Sequence, residues 1–387
     1  MKFRVLKAGL AGVIVAAMSC LPAIPAHAQE GPESQSSEPI AKPKPKSDTG
    51  PTNAAPTTPP STNEGPIPSE YKRKPEAPAN VPTFRAEANT VTVDVSVLDN
   101  HDHFIPGLTK DQFRVYEDGV PQQIVTFGQG EAPITICMLI EFSGRFQAFW
   151  SYGWYETLQA AYGFLETLKP DDNVAVVEYD MHTNILSDFS PDKHKAEQAL
   201  SMLRIPGMSE SNVFDALTDI ADRMSGIEGR KAILLIGTGL DTFSKITFDQ
   251  ARKSLQESGV PIYSISILQV ARMLAESYGM SPIMDMDFLQ ADNEMRTFAR
   301  ETGGLAFFPR FLGEYPGIFR QIESTLRNEY TLTYHPTNTA RDGKFRRIKV
   351  ELVNPETNQP LRIMVKNKPI KYQIIAKAGY KAPREVE

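Results

Sequence analysis

The chain is short of cysteine, histidine, tryptophan and surplus positive charge, and each shortage excludes a class of protein. Its 387 residues include two cysteines, six histidines and two tryptophans. Two cysteines cannot build a disulfide-rich scaffold. The 41 lysines and arginines are outnumbered by 47 aspartates and glutamates, which gives a formal net charge of −6. Without a basic excess or a long basic stripe, nucleic acid is not expected as a partner.

The sequence also lacks the short motifs that carry catalysis. It contains no Gly-x-Ser-x-Gly and no His-Glu-x-x-His, and Gly237-Thr238-Gly239 has neither the lysine nor the spacing of a phosphate-binding loop. We therefore predict that the protein is not an enzyme. A hydrolase on an α/β sheet is the alternative, and it would need a nucleophile and base that the sequence does not reveal.

The first 28 residues have the composition of a signal peptide. Three basic residues fall within the first seven positions, an apolar run covers 8–21, and residues 26–28 read Ala-His-Ala. The apolar run is shorter than the ~20 residues of a membrane-spanning helix. We predict cleavage after Ala28, export to the periplasm or the extracellular space, and no transmembrane segment in the mature chain.

The two cysteines carry separate expectations. Cys20 lies in Ala17-Met18-Ser19-Cys20, a poor lipoprotein box, so a lipid anchor at Cys20 is the alternative to cleavage after Ala28. Cys137 lies within an apolar strand and is expected to be a buried small residue rather than a nucleophile. No disulfide is expected once Cys20 is removed.

Composition divides the remaining chain into a linker, two flanks and a centre. Residues 29–83 are rich in Pro, Ser, Thr, Glu and Lys with almost no large apolar residue, which predicts a disordered linker. Residues 84–130 and 329–387 contain alternating strands and are expected to form one small β-sandwich, followed by a C-terminal tail. Within the first flank, Phe113–Gly119 and Gln123–Phe127 are predicted to pair as a hairpin around Asp118-Gly119.

Strands and helices alternate through the centre, residues 131–328. Its first strand, Ile134–Ile140, is continuously apolar, as expected when both faces of a sheet are covered. This order predicts an α/β fold with a doubly wound, mostly parallel sheet of the Rossmann type. The β-sandwich would be formed by the N- and C-terminal flanking strands.

Several short motifs occur together in a characteristic order. They are Gly107–Gly119, Ile140–Arg145, Val213–Leu217, Leu234–Thr242, Glu301–Gly304 and Ala378–Tyr380. Together they resemble a von Willebrand factor type A domain, and the flanking motifs resemble the bacterial von Willebrand factor A-related acidobacterial family. The resemblance covers about residues 84–383. It implies a von Willebrand A-like fold and a binding module without catalytic activity, in which a divalent cation often grips an acidic group of the partner.

The resemblance also implies where that cation would be held. The family's site combines an Asp-x-Ser-x-Ser loop after the first strand, a Thr from a later loop and an Asp after the fourth strand. These positions meet at the carboxyl ends of the strands, where open α/β sheets bind ligands. The matching residues of this chain are, in that order, Glu141, Ser143, Arg145, Ser211 and Thr238.

These substitutions argue against a metal. Arg145 would place a guanidinium near the ion, and at ~4 Å and an effective dielectric of about 20 its repulsion of a dication is roughly 8 kcal/mol. Arg145 could instead pair with Glu141 or Asp241 as the local cation. We therefore expect no metal and no other cofactor. In the alternative, Mg²⁺ still binds through Glu141, Ser143, Ser211 and Asp241.

The predicted binding face joins this degenerate site to neighbouring aromatic residues. Both tryptophans lie in an aromatic-rich stretch after the first strand, where Trp150 and Tyr152 are either partner anchors or packing residues of the first helix. The face comprises Glu141, Ser143, Arg145, Ser211, Thr238, Asp241, Trp150 and Tyr152. We expect an unidentified protein or a cell-envelope glycan as partner. A Mg²⁺-dependent adhesion domain and a structural envelope component are the alternative functions.

Two further stretches have a functional and a structural interpretation. His101-Asp102-His103 resembles a metal pair but lacks a third ligand nearby, so we expect solvated turn residues. Residues 269–292 contain several methionines, which would suit an adaptable partner surface or a partly helical cover over the sheet edge.

Overall fold

The computed structural model describes residues 90–101, 103–130, 132–144, 158, 161–203, 210–269, 284–365 and 368–384. The predicted signal peptide and linker lie outside these residues, so both stay predictions, as do the domain boundaries. Within the described ranges, no helix combines the length and the apolar character needed to cross a membrane.

The described residues include the following strands and α-helices. The strands are β1 (Val91–Asp99), β2 (Phe113–Glu117), β3 (Val120–Gln122), β4 (Ile124–Gln129), β5 (Ile134–Glu141), β6 (Asn173–Tyr179), β7 (Thr183–Ser190), β8 (Arg230–Gly237), β9 (Ile262–Ser266), β10 (Ala306–Phe307), β11 (Tyr330–Tyr334), β12 (Phe345–Leu352), β13 (Ile363–Val365), β14 (Lys368–Ile370), β15 (Tyr372–Ala376) and β16 (Gly379–Lys381). The helices are α1 (161–167), α2 (Lys193–Met202), α3 (Val213–Ser225), α4 (Phe248–Ser258), α5 (Met284–Thr302) and α6 (Tyr315–Arg327).

The centre of the chain forms one six-stranded sheet in the order β10-β9-β8-β5-β6-β7. All neighbouring pairs are parallel except β6 with β7. The predicted α/β fold with a mostly parallel sheet is therefore confirmed. The chain winds in opposite directions from β5 and from β8, so the carboxyl ends of these two neighbouring strands form the switch point where such sheets bind ligands.

Burial on both faces explains the apolar run of β5. All eight of its residues are buried, and alternate side chains enter two separate apolar clusters. Ile136 and Met138 are examples from one cluster, which also contains side chains of α1, α2 and α6. Cys137 belongs to the other cluster, with side chains of α3, α4 and α5. Burial raises the pKa of the Cys137 thiol, as expected for an inert core residue.

The antiparallel edge strand β7 is the element of this sheet that the sequence did not predict. Its residues, Thr183–Ser190, are mostly polar and show no regular alternation of burial. Its pairing with β6 is also irregular, with register shifts between Val174 and Val177. An edge strand of this kind has only one paired neighbour, so it lacks the apolar signal of a buried strand.

The flanking strands form two four-stranded sheets, each built from both ends of the chain. Their orders are β15-β1-β11-β4 and β16-β12-β2-β3. Side chains from both sheets meet in one apolar cluster, where the rings of Phe113 on β2 and Tyr330 on β11 lie 5.2 Å apart between centroids. Closure of the two sheets as a β-sandwich stays a prediction.

The hairpin predicted around Asp118-Gly119 has the right turn but the wrong second strand. Asp118 and Gly119 have φ angles of 48° and 83°, the left-handed conformation that a two-residue hairpin turn requires. However, β2 pairs with the short β3, whereas β4 pairs with β11 in the other sheet. Most of the predicted strand Gln123–Phe127 therefore belongs to the other sheet, and the chain passes between the sheets at Gln123.

Two charged side chains, the half-buried Arg230 and the buried Asp172, fix the junction between the flanking strands and the central sheet. The Arg230 guanidinium donates hydrogen bonds to the backbone carbonyls of Gly130, Arg327 and Glu329, on both chain segments that cross the junction. The Asp172 carboxylate accepts hydrogen bonds from the Ile134 amide at 3.0 Å and from Arg327 Nη2 at 2.8 Å. Both segments are therefore held by charged groups at the amino-terminal edge of the sheet.

Candidate functional site

The carboxyl ends of β5 and β8 carry the polar residues at the switch point. Glu141 is the last residue of β5, and Thr238 follows directly after β8. The two strands pair in parallel up to Ile140 and Ile236, so their ends lie side by side. The structure thus brings Glu141, Ser143 and Thr238 together, as the resemblance implied.

The Glu141 carboxylate accepts four hydrogen bonds from uncharged groups, three of them at Oε2. Ser143 Oγ donates to Oε1 at 2.8 Å, and the Thr238 amide and Oγ1 donate to Oε2 at 2.6 and 2.8 Å. The Tyr179 hydroxyl donates to Oε2 at 3.4 Å. Both Glu141 and Ser143 have no exposed surface. The carboxylate is therefore part of a closed polar cluster within the sheet edge.

Burial dominates the electrostatics of this cluster. It raises the pKa of Glu141, and the hydrogen bonds from Thr238, Ser143 and Tyr179 oppose that rise without cancelling it. Burial also raises the pKa of the Tyr179 hydroxyl, and the nearby Glu141 and Asp241 carboxylates raise it further. Tyr179 is a site residue that the sequence reasoning missed, although its place at the carboxyl end of β6 could have indicated it.

Gly237 permits the close approach of β8 to the Glu141 cluster. A Cβ at this position would lie 2.7 Å from Glu141 Oε2 and 2.8 Å from the Tyr179 hydroxyl. Even an alanine would therefore displace both side chains from their hydrogen bonds.

We expect Gly237→Ala to lower the free energy of unfolding by roughly 1–3 kcal/mol, because it overpacks a buried polar cluster. Urea denaturation measures this change. Gly226→Ala is the matched control, because a Cβ at Gly226 meets no atom within 4 Å. Equal stability of the two variants would contradict the close packing at Gly237.

Ser211 lies beside Tyr179, close enough for its hydroxyl to lower the pKa of the Tyr179 phenol through a side-chain contact. It is fully buried, and its Oγ makes no hydrogen bond of regular geometry to any described residue. Its backbone is tied to the loop after β8, because Ser211 O accepts hydrogen bonds from the amides of Thr242 and Phe243. Of the predicted site residues that the structure describes, Ser211 is therefore the one whose buried hydroxyl has no hydrogen bond of regular geometry.

Asp241 is half-buried in the same loop, and one of its carboxylate oxygens is hydrogen-bonded to neighbouring groups. Its Oδ1 accepts hydrogen bonds from Ser244 Oγ and, at 3.4 Å, from the Phe214 amide. Burial raises the pKa of Asp241, and the neighbouring Asp215 carboxylate adds to the rise. Asp241 therefore adds a carboxylate beside the Glu141 cluster, but the two carboxylates share no hydrogen-bond donor among the described residues.

Three residues of the predicted binding face, Arg145, Trp150 and Tyr152, lie outside the described residues. Their part in the site stays a prediction. The same holds for most of the methionine-rich stretch, although its last part belongs to α5 and Met286 is 79% exposed.

The described residues do not fit a divalent cation in this arrangement. Such an ion needs several free oxygen ligands. Here both oxygens of Glu141 are engaged, and Thr238 takes the place of the second carboxylate and donates its hydroxyl to Glu141. The unused Ser211 Oγ is the one feature that would suit an ion. Across the described chain, no group of three or more His, Cys, Asp or Glu residues converges as metal ligands would.

Among the described residues of the cluster, the hydroxyls of Ser143, Tyr179 and Ser211 are all buried and offer no accessible nucleophile. Ser143, the serine of the predicted loop, donates its hydroxyl to Glu141 and has no exposed surface.

The turn that carries His101 and His103 lies elsewhere in the fold. His103 Nδ1 lies 3.6 Å from Asp99 Oδ2, and the His103 side chain is 79% exposed. This is the solvated arrangement expected there.

Comparisons with known proteins give structural likeness only. No family model and no curated protein matches the chain. Among solved structures, it is similar to the vWF domain of the pilus tip protein Mfa5 from Porphyromonas gingivalis, at 14% identity and a TM-score of 0.37 over 51% of this chain and 97% of that one. It is similar to BatB from Bacteroides thetaiotaomicron at 12% identity and 0.35, over 50% and 98%.

A third structure is the mussel byssus protein PTMP1 with a zinc-occupied MIDAS motif, at 11% identity and a TM-score of 0.40. It covers 55% of this chain, and the chain spans about half of that protein. Because these identities and scores are low, the class of the fold rests on the strand order and directions described above.

Proposed function

We propose that this protein is an exported, non-enzymatic binding module with a von Willebrand A-like domain and a degenerate metal site. The signal peptide would direct it to the periplasm or the extracellular space, and the 29–83 linker would hold the folded part away from its surroundings. The flanking sheets would close as a β-sandwich beside the domain. Its partner would be a protein, with an envelope glycan as the second choice.

The buried and hydrogen-bonded Glu141 carboxylate is the observation that carries this proposal. Both oxygens of this carboxylate already accept hydrogen bonds, three at Oε2 and one at Oε1, so a metal would have to compete with these donors, and burial keeps the carboxylate away from a substrate. The site can therefore maintain the shape of the rim without a cation. Binding would fall to the surrounding loops, which lie at the ligand-binding edge of an open α/β sheet.

The unused Ser211 Oγ favours the second candidate, a Mg²⁺-dependent adhesion domain. In that case a rearranged loop would let Ser211, Ser143 and the carboxylates of Glu141 and Asp241 face the ion. The two candidates differ in their response to Mg²⁺.

We expect Mg²⁺ and EDTA to leave the melting temperature of the wild type unchanged. The double variant Arg145→Ser/Thr238→Asp restores the family's hydroxyl and carboxylate, so it should be less stable in EDTA and recover in Mg²⁺. An ion at about 100 times its dissociation constant would add roughly 2.7 kcal/mol. Differential scanning calorimetry measures both effects.

Arg145→Ser/Thr238→Asn is the matched control, because asparagine has the size of aspartate without its charge. It should show no recovery in Mg²⁺. A wild-type melting temperature that rises in Mg²⁺ and falls in EDTA would overturn the proposal in favour of the Mg²⁺-dependent domain.

A further inference from the structure

The C-terminal flank carries an excess of positive charge that the rest of the chain does not share. No acidic residue lies between Glu356 and Glu385. The basic residues of this interval are Arg362, Lys366, Lys368, Lys371, Lys377, Lys381 and Arg384. Subtracting these seven charges from the net charge of −6 leaves −13 for all other residues. Such a charge asymmetry indicates a local surface for a partner of negative charge.

Three of these cations lie together around β13 and β14 without an acidic partner. They are Arg362, Lys368 and Lys371, all exposed, and none of them forms an ion pair with a carboxylate in the part of the chain that the structure describes. Elsewhere in the same interval, Lys381 Nζ lies 2.5 Å from Glu257 Oε2. The hairpin of β13 and β14 therefore has positive charge that the described residues do not neutralise.

The same hairpin places exposed apolar side chains among these cations. Met364 on β13 is the register partner of Pro369 on β14, so the two side chains share one face. Both are exposed, Met364 to 56%. Two positions farther from the turn, Arg362 and Lys371 follow in the same register, and strand alternation directs them to that face. Lys368 is exposed at the pair next to the turn. These five residues form the basic hairpin patch.

The base and the opposite face of the hairpin are fixed by the flanking sheets. The Leu361 amide donates to Leu352 O at 3.0 Å, and the Tyr372 hydroxyl donates to Leu361 O at 2.9 Å. Ile363, on the face opposite Met364, packs against the apolar cluster between the two flanking sheets. Because the hairpin is already held in place, a partner that binds the patch would require little additional ordering.

The facing positions of Arg362 and Lys371 are unfavourable in the free protein. Like charges directly opposite each other on antiparallel strands destabilise the pair. Among the described residues, no carboxylate forms an ion pair with either side chain. A partner with negative charge would relieve this repulsion. The two cations are therefore better explained by binding than by the stability of the hairpin.

We propose that the basic hairpin patch binds the surface of a lipid bilayer that contains anionic phospholipids. The three cations would contact lipid phosphate groups, and Met364 would enter the boundary between the headgroups and the acyl chains. Apolar area combined with basic residues is the arrangement of interfacial membrane anchors. The acidic remainder of the chain would turn away from the bilayer. This goes beyond the proposed function, because the patch belongs to a flank and takes no part in the candidate site.

Sedimentation with lipid vesicles tests this proposal. The mature chain is used, without the predicted signal peptide, so that the apolar run of that peptide does not contribute to binding. Vesicles of phosphatidylcholine alone are compared with vesicles in which about a third of the lipid is phosphatidylglycerol. We expect binding to the anionic vesicles only, and release at about 1 M salt, where the Debye length falls to about 3 Å.

Two variants of the patch separate its charge from its apolar contact. Arg362→Gln/Lys368→Gln/Lys371→Gln should weaken binding roughly 100-fold, at about fivefold per cation. The melting temperature of this triple variant should not fall, because the facing like charges are gone. Met364→Ser should weaken binding several-fold with all three cations in place.

Matched controls make the same changes outside the patch. Lys195→Gln/Lys253→Gln/Arg320→Gln lowers the net charge equally at exposed positions on α2, α4 and α6. Met202→Ser removes a methionine that is 63% exposed on α2. Both controls should bind as the wild type does. Equal binding to the two kinds of vesicle, or equal losses in patch and control variants, would overturn the proposal. Binding of polyglutamate without binding of anionic vesicles would also overturn it, because the patch would then fit an acidic protein.

Discussion

Asp172→Ala is expected to lower the free energy of unfolding by about 3–5 kcal/mol, the cost of leaving a buried charge without its partner. The Asp172 carboxylate is fully buried, and the Arg327 side chain that pairs with it is 5% exposed. The substitution also removes the acceptor for the amides of Ile134 and Lys169. One change thus loosens β5, the turn before β6 and the end of α6.

The stability difference between the wild type and Asp172→Ala should become smaller as the pH falls into the acidic range. Burial raises the pKa of Asp172, but the hydrogen bonds from Arg327, Ile134 and Lys169 outweigh it and hold the pKa below its usual value. Asp172 therefore stabilises the fold above the pKa of an unfolded aspartate, about 3.9. That contribution is lost as the pH falls through the lower folded value, so the difference between wild type and variant should narrow in acid.

Urea denaturation at pH 7 and at pH 3 measures both parts of this prediction. Asp219→Ala is the control, because it breaks the partly exposed Asp219–Arg223 pair, which is expected to contribute about 0–1 kcal/mol. If Asp172→Ala were no more damaging than Asp219→Ala, the buried pair would not hold the junction.

The parts of the fold that were predictable are those with strong local patterns. The unbroken apolar run of β5 and the alternation of strands and helices were enough for the central sheet. The edge strand β7 has neither signal, because its residues are mostly polar. The hairpin failed for a different reason: Asp118-Gly119 fixes the turn, but nothing local specifies that the chain leaves the sheet after Gln122.

The candidate site was predictable in position and not in its hydrogen bonding. Strand order alone places Glu141 and Thr238 at the switch point. The Thr238 amide and hydroxyl both donate to Glu141 Oε2 because Gly237 lets the end of β8 come close to Glu141. The sequence alone does not predict such short distances. Tyr179 comes from a neighbouring strand, so only the three-dimensional register brings its hydroxyl to Glu141.

Other motifs of the resemblance serve the junction rather than the site. Ala378, from the last of these motifs, donates its amide to the Glu301 carbonyl at 3.0 Å. The Glu301 carboxylate in turn accepts two hydrogen bonds from Arg252, each 2.6 Å long. These contacts join the C-terminal flank to α5 and α4. The last two motifs, Glu301–Gly304 and Ala378–Tyr380, therefore help to hold the C-terminal flank against the central part of the chain.

Glu329→Gln is expected to have the opposite effect to Asp172→Ala and to stabilise the protein near neutral pH. Glu329 is buried at the same junction, and burial raises its pKa to about 8, with Asp94 adding to the rise and Arg230 opposing it. The unfolded carboxyl ionises near pH 4.5, so the wild type loses stability as the pH rises from there to about 8. The loss is roughly 3 kcal/mol at pH 7.

Glutamine keeps the shape of Glu329 without a proton to lose, so the variant should match the wild type below about pH 4.5 and exceed it above. Thermal melts across pH 4–9 follow this divergence. Lys231, whose pKa burial lowers to about 8, also titrates at this junction, but it is present in both proteins and its effect cancels in the difference. Glu356→Gln, at an exposed position, should show no divergence. A constant gap between Glu329→Gln and the wild type at all pH values would mean that Glu329 stays ionised in the fold, paired with Arg230 as Asp172 is with Arg327.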